Sequence, residues 1–296
     1  MESAPPLAPA PQTLLLERMG PSGGLHLHLD FDGTLVPIQA DPAACHPDAD
    51  LLALLSSLVR LPGVAVAILS GRSLADLQAR LPVPGLALAG NHGLEIAAGG
   101  LRWRHPAALA LVPLLGRLAA RARERLEDIP GAAVEDKTLT LSLHGRRVPP
   151  PWRPLLRRRL ADLEAEWTAR LPIRLRRGRQ VLEVLPAVAW GKASAARRLM
   201  GEGDAHPLFY AGDDLSDEAV FRAFPGALTV RVGAGTAGSA ARHALADCSA
   251  LRSLLRAFLQ LRGGDAHPFA PESQALAGGD RRRGLILAES GMDAAE

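Results

Sequence analysis

Asp30 and Asp32 stand two residues apart, directly after the apolar run Leu25-His26-Leu27-His28-Leu29, and Gly33 and Thr34 follow them. A buried strand that ends in two carboxylates, with Gly and Thr behind it to hold an anion, suits magnesium-assisted phosphoryl transfer. A second acidic run, Gly212-Asp213-Asp214-Leu215-Ser216-Asp217-Glu218, follows another apolar segment much later in the chain. Between the two lie Ser70-Gly71-Arg72, just after Ile68-Leu69, and Lys192 at the expected start of a helix. Singly these are weak signals: an Asp-Gly pair after a strand is also a turn, and Ser-Gly-Arg is also a helix cap. Their order and placement together are what point to chemistry.

The chemistry fits a phosphate monoester. Mg²⁺ prefers oxygen ligands at about 2.0–2.1 Å and keeps several waters. Asp30 and Asp213 can supply two carboxylates to it. Asp30 can also serve as nucleophile, forming an aspartyl-phosphate. Asp32 is close enough in sequence to protonate the departing oxygen and later to activate water. Ser70, Lys192 and the backbone N–H groups after Asp32 would offset charge on the transferring group.

Such residues must be held at the carboxyl ends of strands, and the coarse pattern of the chain supplies them. Strand-like runs at 25–31, 64–69 and 86–90 alternate with helical spacing at 48–60, capped by Asp48, and at 73–80, capped by Ser73. Strands at 208–211 and 228–232 and helices at 191–200, 217–224 and 251–261 repeat the alternation later. The pattern predicts a doubly wound parallel sheet, an α/β, Rossmann-like core formed by 21–104 and 186–262. The middle reads differently: a helix over 106–128, strands at 132–135 and 139–143, a helix over 151–170, and strands at 173–176 and 181–185. This helix-strand-strand unit, met twice, predicts an inserted α+β module over 105–185 with both helices on one face of its sheet. Residues 1–20 and 263–296 are expected to be disordered.

Composition narrows the partners. The 296 residues carry a net charge of +3, with one Tyr and six Phe, which argues against a base-stacking nucleic-acid surface. Cys45 and Cys248 are far apart and lack metal-ligand spacing. No signal-peptide pattern and no membrane-length apolar run is present, so a cytoplasmic protein with a small anionic substrate is expected. Of 34 basic residues only Lys137 and Lys192 are lysines. In a chain this rich in Arg, a position that stays Lys is one where a compact point charge can matter.

The set DFDGTL, LSGR, the isolated Lys192 and GDDLSDE resembles the haloacid-dehalogenase-like phosphatases. The resemblance implies that Asp30 is nucleophile and Asp32 acid and base, with Mg²⁺ held by Asp30, the backbone carbonyl of Asp32 and the last acidic motif, Asp213 and Asp214. It implies that Gly33, Thr34, Gly71 and Arg72 surround the phosphate, and that the inserted module is a cap. Val134-Glu135-Asp136-Lys137, Leu141-Ser142-Leu143-His144-Gly145-Arg146, Gly90-Asn91-His92-Gly93-Leu94-Glu95 and Val181-Leu182-Glu183-Val184-Leu185-Pro186 are similar to segments of trehalose-6-phosphate phosphatases. On that likeness Glu135, Lys137 and Glu183 grip sugar hydroxyls, with His92, His144 and Arg146 beside them, and the protein acts in a pathway with a trehalose-6-phosphate synthase. One departure is Gly191-Lys192-Ala193, where that subfamily usually has Lys followed by Gly. From the residues alone, Glu135 and Lys137 alternating with Val134 and Leu139 also fit a solvated strand face. A capped phosphatase for sucrose phosphate or mannosyl-3-phosphoglycerate, and a non-catalytic sugar-phosphate-binding regulator, stay open.

Overall fold

The structure is a computed structural model and describes residues 23–39, 41–168, 171–178, 180–233 and 238–262. The segments expected to be disordered, 1–20 and 263–296, lie outside the described residues. Twelve strands are present among those described: β1 (Leu25–Leu29), β2 (Val64–Leu69), β3 (Ala87–Gly90), β4 (Glu95–Ala98), β5 (Leu101–Arg104), β6 (Ala133–Asp136), β7 (Leu141–His144), β8 (Ile173–Gly178), β9 (Val181–Pro186), β10 (Leu208–Gly212), β11 (Leu228–Val232) and β12 (His243–Leu245). The helices are α1 (Ala49–Leu58), α2 (Leu74–Arg80), α3 (Pro106–Leu109), α4 (Val112–Leu126), α5 (Arg153–Thr168), α6 (Lys192–Met200), α7 (Leu215–Ala223) and α8 (Cys248–Arg262).

Eight strands form one sheet in the order β12-β11-β10-β1-β2-β3-β4-β5. From β12 to β3 the pairing is parallel. The strand order runs outward in both directions from β1 and β10, so the crevice between their carboxyl ends is the topological switch point at which open sheets place their sites. Leu25, Leu27 and Leu29 pack on one face with α1 and α8. On the other face Ala195, Ala196 and Leu199 of α6 pack with Val220 and Phe221 of α7. Period-2 alternation turns His26 and His28 toward this second face.

The expected parallel core is present; one edge extends it, and one helix needs correcting. The sheet is mixed, because β4 and β5 add an antiparallel hairpin beyond β3; these strands are short and the Gly99-Gly100 turn between them is their clearest sequence mark. The helix expected over 106–128 is two, α3 and α4, since Pro113 lies in the first turn of α4 and cannot donate back across the join.

The middle of the chain builds a separate four-stranded antiparallel sheet, β6-β7-β9-β8. Leu115, Leu118, Ala122 and Leu126 of α4 and Leu156, Leu160, Leu163 and Trp167 of α5 cover one face of it, against Leu141, Leu143, Leu182 and Val184. The opposite face keeps its polar residues. In register across it run Glu135, Ser142, Glu183 and Arg176.

Candidate active site

Asp30 is the first residue past β1, and its backbone N–H is still tied to Ala211 of β10. Asp30 as a whole is 4% exposed. Lys192, the first residue of α6, donates from Nζ to Asp30 Oδ1 at 2.7 Å, and Thr34 Oγ1 lies 3.2 Å from Asp30 Oδ2. Thr34 also reaches Asp213 Oδ1 at 3.3 Å. Gly33 makes this approach possible: its φ is +83°, and a Cβ there would stand 2.2 Å from Asp213 Oδ2.

Asp213 follows β10, and three carboxylates, those of Asp30, Asp213 and Asp217, bring oxygens within 4.8 Å of one another. Asp217 is fully buried and its oxygens are committed. Oδ1 accepts from Lys192 Nζ at 2.9 Å and Tyr210 OH at 2.6 Å, and Oδ2 from the Asp213 and Asp214 N–H groups, both at 3.0 Å. Burial pushes the Asp30 carboxyl well above its ordinary range, and Asp217 and Asp213 add to this against the opposing charge of Lys192. Burial, then Asp217 and Asp214, raise Asp213 to about 6. Lys192 itself is held above its ordinary value, because Asp217 and Asp30 outweigh the burial that would lower it. One ammonium among buried carboxylates leaves negative charge that a hard cation would neutralise. The all-oxygen donor set fits Mg²⁺, and Asp30 and Asp213 are the residues that would hold it.

Asp214 does not join them. Its carboxylate caps α7, accepting from the Ser216 N–H at 2.6 Å, while Asp217 answers from the third helical position in a capping box. Helix phase thus turns Asp214 to the cap and sends Asp217 toward Asp30 and Asp213. Arg72 turns toward Asp32. It clasps both oxygens of Asp32, at 2.6 and 2.8 Å, and reaches Asp76 at 2.7 Å. Burial alone would lower the Arg72 pKa, but these two carboxylates raise it. Arg72 thus orients Asp32. Ser70 is buried, and its Oγ accepts the Arg72 backbone N–H at 3.2 Å.

The four-stranded module meets this centre through Gly71 and through the turn after β3. Lys137 is buried and donates from Nζ to the Gly71 carbonyl at 2.9 Å. Glu183 Oε1 lies 3.1 Å from His92 Nε2 and 3.8 Å from Lys137 Nζ. Arg176 donates to Glu183 Oε2 from Nε at 2.8 Å and also approaches the His92 ring. Burial would raise the Glu183 carboxyl, but His92, Lys137 and Arg176 hold it well below its ordinary range. Asn91 and His92 both have positive φ, 49° and 58°. Asn91 is fixed in that state by its side chain, whose Nδ2 donates to Glu95 Oε1 at 2.7 Å and to the Lys137 carbonyl at 3.0 Å, and whose Oδ1 accepts from Thr140 at 2.6 Å.

His92, Lys137 and Glu183 are thus brought together beside Gly71. Glu135 is not in that group. It pairs with His144 at 2.9 Å, two strand spacings or about 10 Å from Glu183 along the register row. Arg146 donates to the Gln39 carbonyl of the loop that follows Val36. Sequence reasoning missed Arg176, which lies unmarked within an Arg-rich run; only its register opposite Glu183 distinguishes it. It also missed Tyr210, and it grouped Asp217 with the acidic run without giving it a separate task.

Comparison with known proteins agrees with this arrangement. The family model described as Trehalose-phosphatase matches residues 28–247. The chain is similar to a trehalose-phosphate phosphatase of Mycobacterium marinum, 37% identical over 226 residues, covering 73% of this chain and 56% of the relative. The chain spans about half the length of the curated relatives it matches. Among solved structures it is similar to a trehalose-6-phosphate phosphatase related protein, with TM-score 0.69 and 29% identity over 80% of this chain and 97% of the other. The C-terminal domain of the Candida albicans trehalose-6-phosphate phosphatase has TM-score 0.71 over 84% of this chain and 97% of its own, and at 22% identity bears on the fold alone. With the family match extending from β1 through the acidic run and β12, the chain belongs to the trehalose-phosphatase family.

Proposed function

We propose that the chain is a Mg²⁺-dependent phosphatase that hydrolyses trehalose 6-phosphate to trehalose and phosphate. The observation that carries the reading is the buried Asp30 carboxylate, set by Lys192 and Thr34 beside Asp213 at the switch point of the sheet. An Asp30 oxygen attacks phosphorus, the bond from phosphorus to the sugar oxygen breaks, and Asp32 gives that oxygen its proton. Water then attacks the phosphorus of the aspartyl-phosphate, Asp32 takes the proton, and the Asp30 carboxylate is released with inorganic phosphate. For either transfer Arg72 must loosen its two-toothed hold on Asp32. Lys192 and the backbone N–H groups after Asp32 offset charge on the phosphoryl oxygens. Bound between Asp30 and Asp213, Mg²⁺ would supply charge neutralisation at the phosphoryl group.

The four-stranded module is the cap, and it selects the sugar through Lys137 and Glu183, with His92 of the core beside them. Hydroxyls donate and accept, so an ammonium and a carboxylate side by side suit a neutral disaccharide. The family match favours trehalose 6-phosphate over sucrose phosphate or mannosyl-3-phosphoglycerate. The complete set of Asp30, Asp32, Asp213 and Lys192 favours an enzyme over a non-catalytic regulator. A cytoplasmic location, downstream of a trehalose-6-phosphate synthase, completes the reading; no helix among the described residues is long and apolar enough to cross a membrane. The test is phosphate release from a panel of sugar phosphates, with and without Mg²⁺. Release confined to trehalose 6-phosphate and dependent on Mg²⁺ is expected; equal rates across the panel, or none, would sink the proposal.

A further inference from the structure

Among the described residues a second group brings three donor atoms within 4.8 Å of one another: His26, Asp204 and His206. It lies at the amino end of β1, four residues and about 13 Å from Asp30 along the strand. Strand pairing creates it. His26 sits opposite Leu208, and its backbone N–H donates to Pro207, so the turn into β10 delivers His206 beside it. His26 Nε2 stands 3.0 Å from Asp204 Oδ2, and His206 Nδ1 2.7 Å from Asp204 Oδ1. The His206 ring packs so close to Gly24 that a Cβ there would fall 2.0 Å from its Cδ2.

The second observation is the state of His26. Its side chain is 7% exposed; Nε2, though 3.0 Å from Asp204 Oδ2, lacks hydrogen-bond geometry to it, and Nδ1 has no partner. Buried polar atoms left unpaired cost free energy, and one in a native fold calls for a ligand or another reason. His206 and Asp204 are more open, with side chains 43% and 29% exposed, which leaves an approach from solvent. Two imidazoles and one carboxylate are the donor set of open zinc-type sites, in which a water takes the remaining position. The set is unlike that around Asp30, where every donor is oxygen and Mg²⁺ is the better match.

We propose that His26, His206 and Asp204 form a second metal site, for a divalent transition ion of the zinc class, that ties β1 to the turn before β10 and takes no part in turnover.

The test uses the full chain, stripped of metal with a chelator and returned to saturating Mg²⁺ to fill the carboxylate site. It is titrated with Zn²⁺ by calorimetry and with Co²⁺ by visible absorption. One Zn²⁺ per chain, a rise in melting temperature with Zn²⁺, and a Co²⁺ spectrum of low coordination number are expected. His206→Ala and Asp204→Ala, both partly exposed, should weaken Zn²⁺ binding by about 100-fold while circular dichroism and Mg²⁺-supported turnover stay as they were. Zn²⁺ binding that survives His206→Ala but falls in Asp213→Asn would assign the ion to the carboxylate site and overturn the proposal. So would the absence of saturable Zn²⁺ binding to the unaltered chain.

Discussion

The two polar surfaces that meet beside Gly71 are built on different principles. Around Asp30 the groups come from the ends of separate strands and the start of α6, and they are interlocked: Lys192 spans Asp30 and Asp217, and Asp217 accepts four hydrogen bonds. In the four-stranded module most groups come from one row of cross-strand neighbours, Glu135, Ser142, Glu183 and Arg176, joined by Lys137 just past β6, and only part of that row engages the core. A constellation drawn from many elements is rigid and suits fixed chemistry. A row on one sheet can be changed one residue at a time, which suits the choice of a substrate.

The sharpest break in this comparison is Asp30→Asn. Turnover measured by phosphate release should fall by at least about a thousandfold, with the melting temperature retained; appreciable Mg²⁺-dependent turnover would remove Asp30 from the nucleophile's role. Next come Lys137→Ala and Glu183→Ala. Each should lower kcat/KM for trehalose 6-phosphate by about a hundredfold more than for p-nitrophenyl phosphate, and equal losses on both esters would erase the division of labour.

A pH titration probes the core alone. Asp213 titrates near 6 when folded, above its ordinary value. Protons therefore compete with Mg²⁺ as pH falls through that value, and affinity measured calorimetrically should be about tenfold weaker at pH 5 than at pH 7.5. By the same linkage, this group makes the metal-free chain more stable as pH falls from 6 toward 4, because the folded state binds the proton more tightly. A Mg²⁺ affinity flat across this range would count against Asp213 as a ligand. The smallest effect separates neighbours in one motif. Asp214→Ala should cost about 1 kcal/mol of stability through its lost helix cap and leave Mg²⁺ affinity in place, whereas Asp213→Ala should remove the binding.

What was legible in the sequence follows the same division. Asp48 and Ser73 cap α1 and α2 as their residue types predict, and β2 runs over Val64–Leu69 as the apolar run predicts. Asp30, Lys192 and Asp213 converge because the alternation of elements puts each at a strand end or helix start. The inward turn of Asp217 in place of Asp214 was not legible, since both lie in a single acidic run and only the phase of α7 separates them. Arg176 was hidden for a similar reason: its importance rests on register with β9, which composition does not encode. The pairing of Arg72 with Asp32 joins residues forty apart in the chain and needed the fold to reveal it.

Lys137 and Glu183 are already satisfied, by the Gly71 carbonyl, His92 and Arg176. A hydroxyl of the proposed sugar arriving there would exchange one hydrogen bond for another, and the net attraction of each exchange would be small. Discrimination then works through penalty: a ligand that pulls Lys137 from its carbonyl without offering an acceptor strands a buried charge. Under the proposed function such a surface would choose the sugar that is not punished, without need of tight binding.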